Sequence, residues 1–321
     1  MKEFAYRRAT DLRDALIAGS GGARYLGGGT NLVDLMKDGV EAPDRLIDVR
    51  QLPFAGIRET PDGGLLIGAT TTNSDLAAHP EIRRRYPALS QAVLAGASGQ
   101  LRNMATVGGN LLQRTRCAYF ADPSQACNKR LPGSGCPAIA GEHHNHAILG
   151  RSPHCAATHP SDMAVALVAF DAVVRYETLE GVGEIPLEKF YLPVGDTPQR
   201  ETALPPGALI TAVVLPGSAV SPRSRYRKVR ERASYAFATV SIAAGLDGDR
   251  GSARIALGGV ASRPWRARTA EFFLLEGPTT ADRFRAAADA ELSAAEPLPG
   301  NGYKVTLARN LIVAVLEEVH A

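Results

Sequence analysis

Long apolar runs are missing from this sequence. No stretch reaches the roughly 18 consecutive apolar residues of a membrane-spanning helix, so membrane insertion is not expected. A surplus of one charge is missing too. The 36 basic side chains face 33 acidic ones, which counts against a nucleic-acid stripe or a polybasic anchor. The opening MKEFAYRRATDLRDAL has no apolar core of a signal peptide. The sequence therefore predicts no export signal of its own and folding in the cytoplasm; passage to the periplasm on a signal-bearing partner stays open. No internal repeat or low-complexity tract is present. The phosphate loop GxxxxGK[ST] is absent, and so is a complete GxGxxG: Gly27 and Gly29 fit its first two glycines, but Leu32 stands where the third belongs. Neither a P-loop nor a Rossmann nicotinamide site is supported. Cysteine is scarce, and a reducing compartment disfavours its use in structural disulfides.

What remains is a chain of 321 residues with ample apolar content for two or three cores. ATDLRDALIAG reads as a helix with Thr10 or Asp11 as N-cap and Gly19 as its stop. RYL is a short strand running into GGGTN, LVDLMKDG a helix ended by Gly39, and RLIDV and LLIGA buried strands. These give a small α/β unit over about 1–55. A second unit covers 56–217, with a helix from Pro87 to Ala95, a capped helix in PSDMAVALVAF, and strands in AVVRYET and LITAVVLP. Residues 216–222 read as a linker, and a third unit occupies 222–321. It holds two apolar runs around the hairpin signal DGDRGS, helices at 268–275 and 280–290, and the closing YKVTLARNLIVAVLEEV. Strands and helices in separate runs favour an α+β class over one doubly wound sheet.

Two glycine-rich loops stand out. YLGGGTNL places Gly27, Gly28, Gly29 and Thr30 after a strand, with a helix starting near Asn31; MATVGGNLL offers Thr106, Gly108, Gly109 and Asn110. Glycines allow the backbone to approach a bulky anion and to aim successive N–H groups at it. Two such loops could clasp one pyrophosphate from both sides, or be no more than tight turns. Arginine is dense around 102–130 and 223–232, where anions could be held or the surface simply solvated.

The cysteines are Cys117, Cys127, Cys136 and Cys155, spaced C-x9-C-x8-C-x18-C. This lacks the paired C-x2-C of zinc ribbons and the ferredoxin run. The intervening residues are rich in Pro, Gly, Asn and Ser and bury little apolar surface, so something covalent or coordinate must hold the segment. Four thiolates suit a [4Fe–4S] cluster or an all-cysteine zinc site. His143, His144, His146, His154 and His159 keep a mixed zinc site open, although GEHHNH also reads as an exposed polar loop. Disulfides or free thiols complete the alternatives.

Taken in order, GGGTNLVDLM, LLIGATTTNSDLA, SGQLRNMATVGGNLLQRTRC, THPSDMA and YRKVRERASYAFATVSIA resemble one family over essentially the whole chain. It is the FAD-binding medium subunit of the molybdenum hydroxylases, the xanthine dehydrogenase and carbon monoxide dehydrogenase group. The cysteine insertion, about 114–158, is similar to the aldehyde oxidoreductase branch that carries an additional [4Fe–4S] cluster.

The resemblance implies a flavin fold of the vanillyl-alcohol oxidase (PCMH) type in two subdomains, with a C-terminal α+β domain over it. It implies that Leu26, Gly27, Gly28, Gly29, Thr30, Asn31 and Leu32, with Thr106, Gly108, Gly109 and Asn110, wrap the FAD pyrophosphate. Asp162 would bond a ribityl or nearby hydroxyl, Lys228 would meet the pyrimidine edge of the flavin, and Tyr235 would lie near its ring face. Cys117, Cys127, Cys136 and Cys155 would ligate the cluster. Family members often have acidic residues where this chain reads RASYAF, a departure that bears on NAD and on the acceptor. The implied role is electron relay, with no catalytic base or nucleophile in this chain. A molybdenum-cofactor large subunit and a [2Fe–2S] small subunit are the implied partners, with an external acceptor at the end of the route. The competing readings are a zinc-stapled scaffold and a flavin subunit that reduces NAD.

Overall fold

The structure is a computed structural model and describes residues 1–247 and 252–321. The turn expected in DGDRGS falls on 248–251 and lies outside the described residues.

Three sheets organise the described residues. The first is parallel, in the order β1 (Ala5–Arg8), β3 (Arg45–Asp48), β2 (Arg24–Leu26). Parallel strands need crossovers: helix Leu32–Lys37 links the neighbours β2 and β3, and β1 is linked to β2, on the far side of β3, by helix Leu12–Ser20. Asp11 is its N-cap, with Oδ1 accepting from the Asp14 amide at 2.8 Å. Gly19, expected as the stop, lies inside the helix, and Gly21 caps it. The glycine has another cause: a Cβ there would sit 2.1 Å from the Tyr25 hydroxyl, which donates to Gly207 O at 2.6 Å. Helix Leu32–Lys37 ends as expected before Gly39, whose φ is +74°.

The second sheet is antiparallel and runs β4 (Ile57–Glu59), β5 (Leu65–Gly68), β8 (Leu209–Leu215), β6 (Val173–Thr178), β7 (Gly181–Pro186). Against it pack helices Pro87–Ala95 and Asp162–Ala169. Every residue of the latter is buried: the unbroken apolar run from Met163 requires it, and Asp162 before the run is a buried carboxylate. Tyr86 and Phe170 meet edge to face inside this core, with centroids 5.9 Å apart.

The third sheet, β12 (Trp265–Arg266), β11 (Ser252–Gly258), β10 (Val240–Asp247), β9 (Ser224–Val229), is also antiparallel. Helices Arg268–Leu275, Ala281–Leu292 and Tyr303–His320 cover one face. The other face contributes Tyr226, Ala243 and Ala256 to the core of the second sheet. Alternation along β9 turns Ser224, Tyr226 and Lys228 inward and leaves Arg225 and Arg227 outside, both beside Glu318. The class is α+β. No helix among the described residues is long and apolar enough to cross a membrane.

Candidate cofactor cleft and thiol cavity

The two glycine loops meet. A Cβ on Gly28 would lie 1.8 Å from Met104 O, and one on Gly27 would lie 2.6 Å from Thr106 Oγ1. Only glycine permits that approach. Gly29 adds a φ of +73°. Asn31 caps Leu32–Lys37 from its backbone, while its Oδ1 accepts from the Arg114 amide at 3.0 Å. Thr106 caps the short helix Val107–Leu111, and the Gly108 amide donates to Ala69 O at 2.8 Å.

Beneath these loops opens a cleft of about 1460 Å³. All of Leu26, Gly27, Gly28, Gly29, Thr30, Asn31, Leu32, Thr106, Gly108, Gly109, Asn110, Asp162, Lys228 and Tyr235 line it. Asn110 Oδ1 takes bonds from Ser161 Oγ (2.6 Å) and Gln113 Nε2 (2.7 Å). Both Asp162 oxygens are already engaged, by Lys228 Nζ at 2.7 Å and the Tyr226 hydroxyl at 2.5 Å. Burial pushes the Asp162 pKa up, against the pull of Lys228 and Tyr226. Tyr235 sits at φ +53°, with its carbonyl held by Arg232 Nε at 2.9 Å. The guanidinium of Arg116 lies 5.1 Å from the Phe237 ring centroid at the same rim.

Sequence reasoning passed over Thr70, Asn73 and Glu201, and met Arg114 only within an arginine-dense stretch and His159 only as a possible zinc ligand; all five line the cleft. Asn31 Nδ2, Thr70 Oγ1, Asn73 Oδ1 and His159 Nε2 are buried without a hydrogen-bond partner. Such atoms are costly unless something satisfies them. Glycine clearance, a polar wall and unspent donors and acceptors together fit a large polar cofactor with an anionic middle.

The four cysteines line a second, smaller cavity, closed by Tyr119, Phe120, Lys129 and Pro137 among others. All four are free thiols; Cys127 and Cys155 are buried, Cys117 and Cys136 partly so. Backbone amides point at the sulfurs: Tyr119 and Phe120 at Cys117, Ala138, Ile139 and Ala156 at Cys136, and Ala157 at Cys155 from 3.4 Å. Hydrogen bonding from Cys155 pulls Cys136 down to about 6, and the same contact with burial pushes Cys155 up. Among the described residues no three His, Cys, Asp or Glu side chains are arranged to hold a single metal ion. A cluster makes a different demand, because each thiolate meets its own iron and the sulfurs surround a core. Four thiols around one cavity, with amides directed at them, fit that donor set.

The histidines divide. His154 lines the thiol cavity, and His146 Nε2 lies 3.3 Å from Cys117 Sγ. His143 is buried and accepts from the Gly300 amide at 2.9 Å. Only His144 of the three in GEHHNH matches an exposed polar loop, and it stacks on Tyr303.

Residues 2–218 match the family described as the FAD binding domain in molybdopterin dehydrogenase, and residues 224–319 match the CO dehydrogenase flavoprotein C-terminal domain. The chain belongs to the FAD-binding subunits of the molybdenum hydroxylase family. It is 52% identical to the aldehyde oxidoreductase FAD-binding subunit PaoB of Escherichia coli K12, over all of this chain and 99% of that one. It is 27% identical to the glyceraldehyde dehydrogenase medium chain of Sulfolobus acidocaldarius, over 84% of this chain and 80% of that one. Among solved structures it is similar to the carbon monoxide dehydrogenase of Hydrogenophaga pseudoflava, with a TM-score of 0.76 and 25% identity over 99% of this chain and 97% of that one. The chain is thus an FAD-binding protein of the α+β class.

Proposed function

We propose that this chain is the electron-relay subunit of a molybdenum-containing aldehyde oxidoreductase. Electrons would arrive from a partner [2Fe–2S] subunit, the aldehyde being oxidised on a molybdenum-cofactor subunit, and would leave for an external acceptor. FAD and a [4Fe–4S] cluster, when bound, supply one-electron exchange, and FAD also accepts electron pairs. The observation that carries this reading is the pairing of two cavities in one chain: a glycine-walled cleft and a pocket lined by all four thiols. The similarity to an aldehyde oxidoreductase subunit along the full length supports the substrate class.

Within the cleft, 27–32 and Thr106–Asn110 hold the FAD pyrophosphate, Lys228 faces the pyrimidine edge, and Tyr235 lies by the ring face. Cys117, Cys127, Cys136 and Cys155 ligate the cluster. Units 1–55 and 56–217 form the flavin fold, and 222–321 covers it. The RASYAF segment carries no carboxylate of its own and brings Arg232 to the rim beside Glu231, a departure from the family pattern that bears on NAD as the acceptor.

The test is the purified complex, handled without oxygen. Flavin bands with a broad iron–sulfur shoulder, and about four irons per chain, are expected. A chain with flavin and stoichiometric zinc would replace the cluster by a zinc site, for which the Cys117–His146 contact is the natural starting pair. A colourless chain would sink the relay altogether.

A further inference from the structure

The two cavities share an ion chain, buried at Lys129 and half-buried at Glu201, Arg114 and Glu41. Lys129 Nζ, whose side chain is 5% exposed, lies 2.7 Å from Glu201 Oε1 and donates to Pro198 O at 3.1 Å. The other Glu201 oxygen, Oε2, accepts from Arg114 Nε at 2.5 Å, and Arg114 Nη1 donates to Glu41 Oε1 at 2.6 Å. Lys129 lines the thiol cavity, whereas Glu201, Arg114 and Glu41 line the flavin cleft. Arg114 is fastened at both ends. Its amide donates to Asn31 Oδ1 in the first glycine loop, and its guanidinium lies 4.6 Å from the centroid of Phe120, a wall of the thiol cavity.

Burying ions costs several kcal/mol each, and an apolar replacement often serves stability as well or better. Stability alone is therefore a weak reason for this chain of charges. Burial pushes Glu201 up, but Lys129 and Arg114 pull harder and leave it below its ordinary range, so it is an anion. Its two oxygens face the two sites separately, one toward the cation at the thiols and one toward the cation at the cleft.

We propose that Lys129, balanced by Glu201 and through it by Arg114, sets the charge seen by the redox group in the thiol cavity, with Glu201 as the positioning residue that ties that charge to the flavin-cleft wall. The proposal rests on the reading of the four thiols as cluster ligands. Reduction adds negative charge to a site that already carries four thiolates, so a fixed cation beside it favours the reduced state and a fixed anion opposes it. Lys129 and Glu201 therefore push the cluster potential in opposite directions.

The experiment is an EPR-monitored redox titration of the purified complex, with iron counted per chain, for the wild type, Lys129→Met, Lys129→Arg and Glu201→Gln. Lys129→Met is expected to lower the cluster midpoint, Glu201→Gln to raise it, and Lys129→Arg to stay near the wild type, all with iron unchanged. Equal shifts of one sign for Lys129→Met and Glu201→Gln, or none, would overturn the proposal, because a loosened loop has no reason to produce opposite signs. If Lys129→Met fails to retain iron, Glu201→Gln decides: an upward shift supports the proposal and any other result overturns it. A wild-type complex without iron would instead sink the cluster reading, so the two failures are distinguishable.

Discussion

Lys228 Nζ lies 2.7 Å from Asp162 Oδ2, with side chains 4% and 7% exposed. The ion pair joins β9 to the start of helix Asp162–Ala169, and so joins the third sheet to the core of the second. Removing one partner strands the other: Lys228→Met leaves a buried carboxylate with Tyr226 alone, and is expected to cost about 3–5 kcal/mol in urea denaturation of the apoprotein. Adding Asp162→Asn should recover most of the loss. A single variant that costs less than about 1 kcal/mol would show that the pair is not what holds the sheets together.

The same pair bears on the flavin. Each carboxylate oxygen takes one hydrogen bond, from Tyr226 and from Lys228, so Asp162 serves Lys228 whether or not it also meets a ribityl hydroxyl. Asp162→Asn leaves the Lys228 cation uncompensated, and a cation at the pyrimidine edge favours the reduced, anionic flavin. The flavin midpoint should rise while FAD is retained. A midpoint that does not move would mean that Lys228 does not face the ring.

Glycines separate by clearance. Gly28→Ala puts a methyl group into the Met104 carbonyl, where backbone must move. Overpacking of this kind costs about 1–3 kcal/mol, so FAD affinity should fall by roughly 10- to 100-fold. Gly99, at the start of helix Gly99–Met104, has nothing within 4 Å of its virtual Cβ. Gly99→Ala should leave FAD affinity unchanged and stabilise by up to about 1 kcal/mol. Equal FAD affinities for the two variants, by flavin fluorescence, would refute the loop contact as a binding device.

Local signals were legible in the sequence, and long-range ones were not. The caps Asp11 and Ser161, the helix stop before Gly39 and the apolar strands are written within a few residues, and the structure has those elements. Helices Asn73–Ala78, Gly99–Met104 and Val107–Leu111 are too short to display a helical period and vanish among glycines and polar residues. Gly19 misleads for another reason: its role is set by Tyr25 across the sheet rather than by the helix end. The Glu201 network joins residues 87 and 72 positions apart, a distance over which no periodicity carries information. The two glycine loops could be singled out because each is contiguous; the ion chain between the cavities could not.

Lys304 pins the C-terminal helix to the loop between Cys136 and Cys155 and to the end of β11. Its Nζ donates to Asn145 O (3.2 Å), His146 O (2.9 Å) and Gly259 O (2.5 Å), and burial pulls its pKa down to about 7. An unfolded lysine titrates near 10.4, so between about 7 and about 10 the unfolded chain holds a proton that the folded chain does not. Stability contributed by this group therefore increases as pH rises through that window, and is lost as pH falls through about 7. Lys304→Met should flatten that rise, seen as the difference between wild-type and variant unfolding free energies across pH. A difference that is constant with pH would rule out titration of Lys304 as its source.

Cys136 offers the cleanest separation of the proposed cluster from the flavin. It lines the thiol cavity and has no part in the wall of the flavin cleft. Cys136→Ala removes one of the four thiols of the proposed ligand set and the partner of Cys155, so iron should be lost or fall well below the wild-type content. The glycine loops and the Asp162–Lys228 pair are untouched, so FAD should stay bound at one per chain. Iron and flavin counted on the same preparation check both halves. Unchanged iron would remove Cys136 from the ligand set, and joint loss of flavin would mean that the thiol segment also holds the cleft in shape.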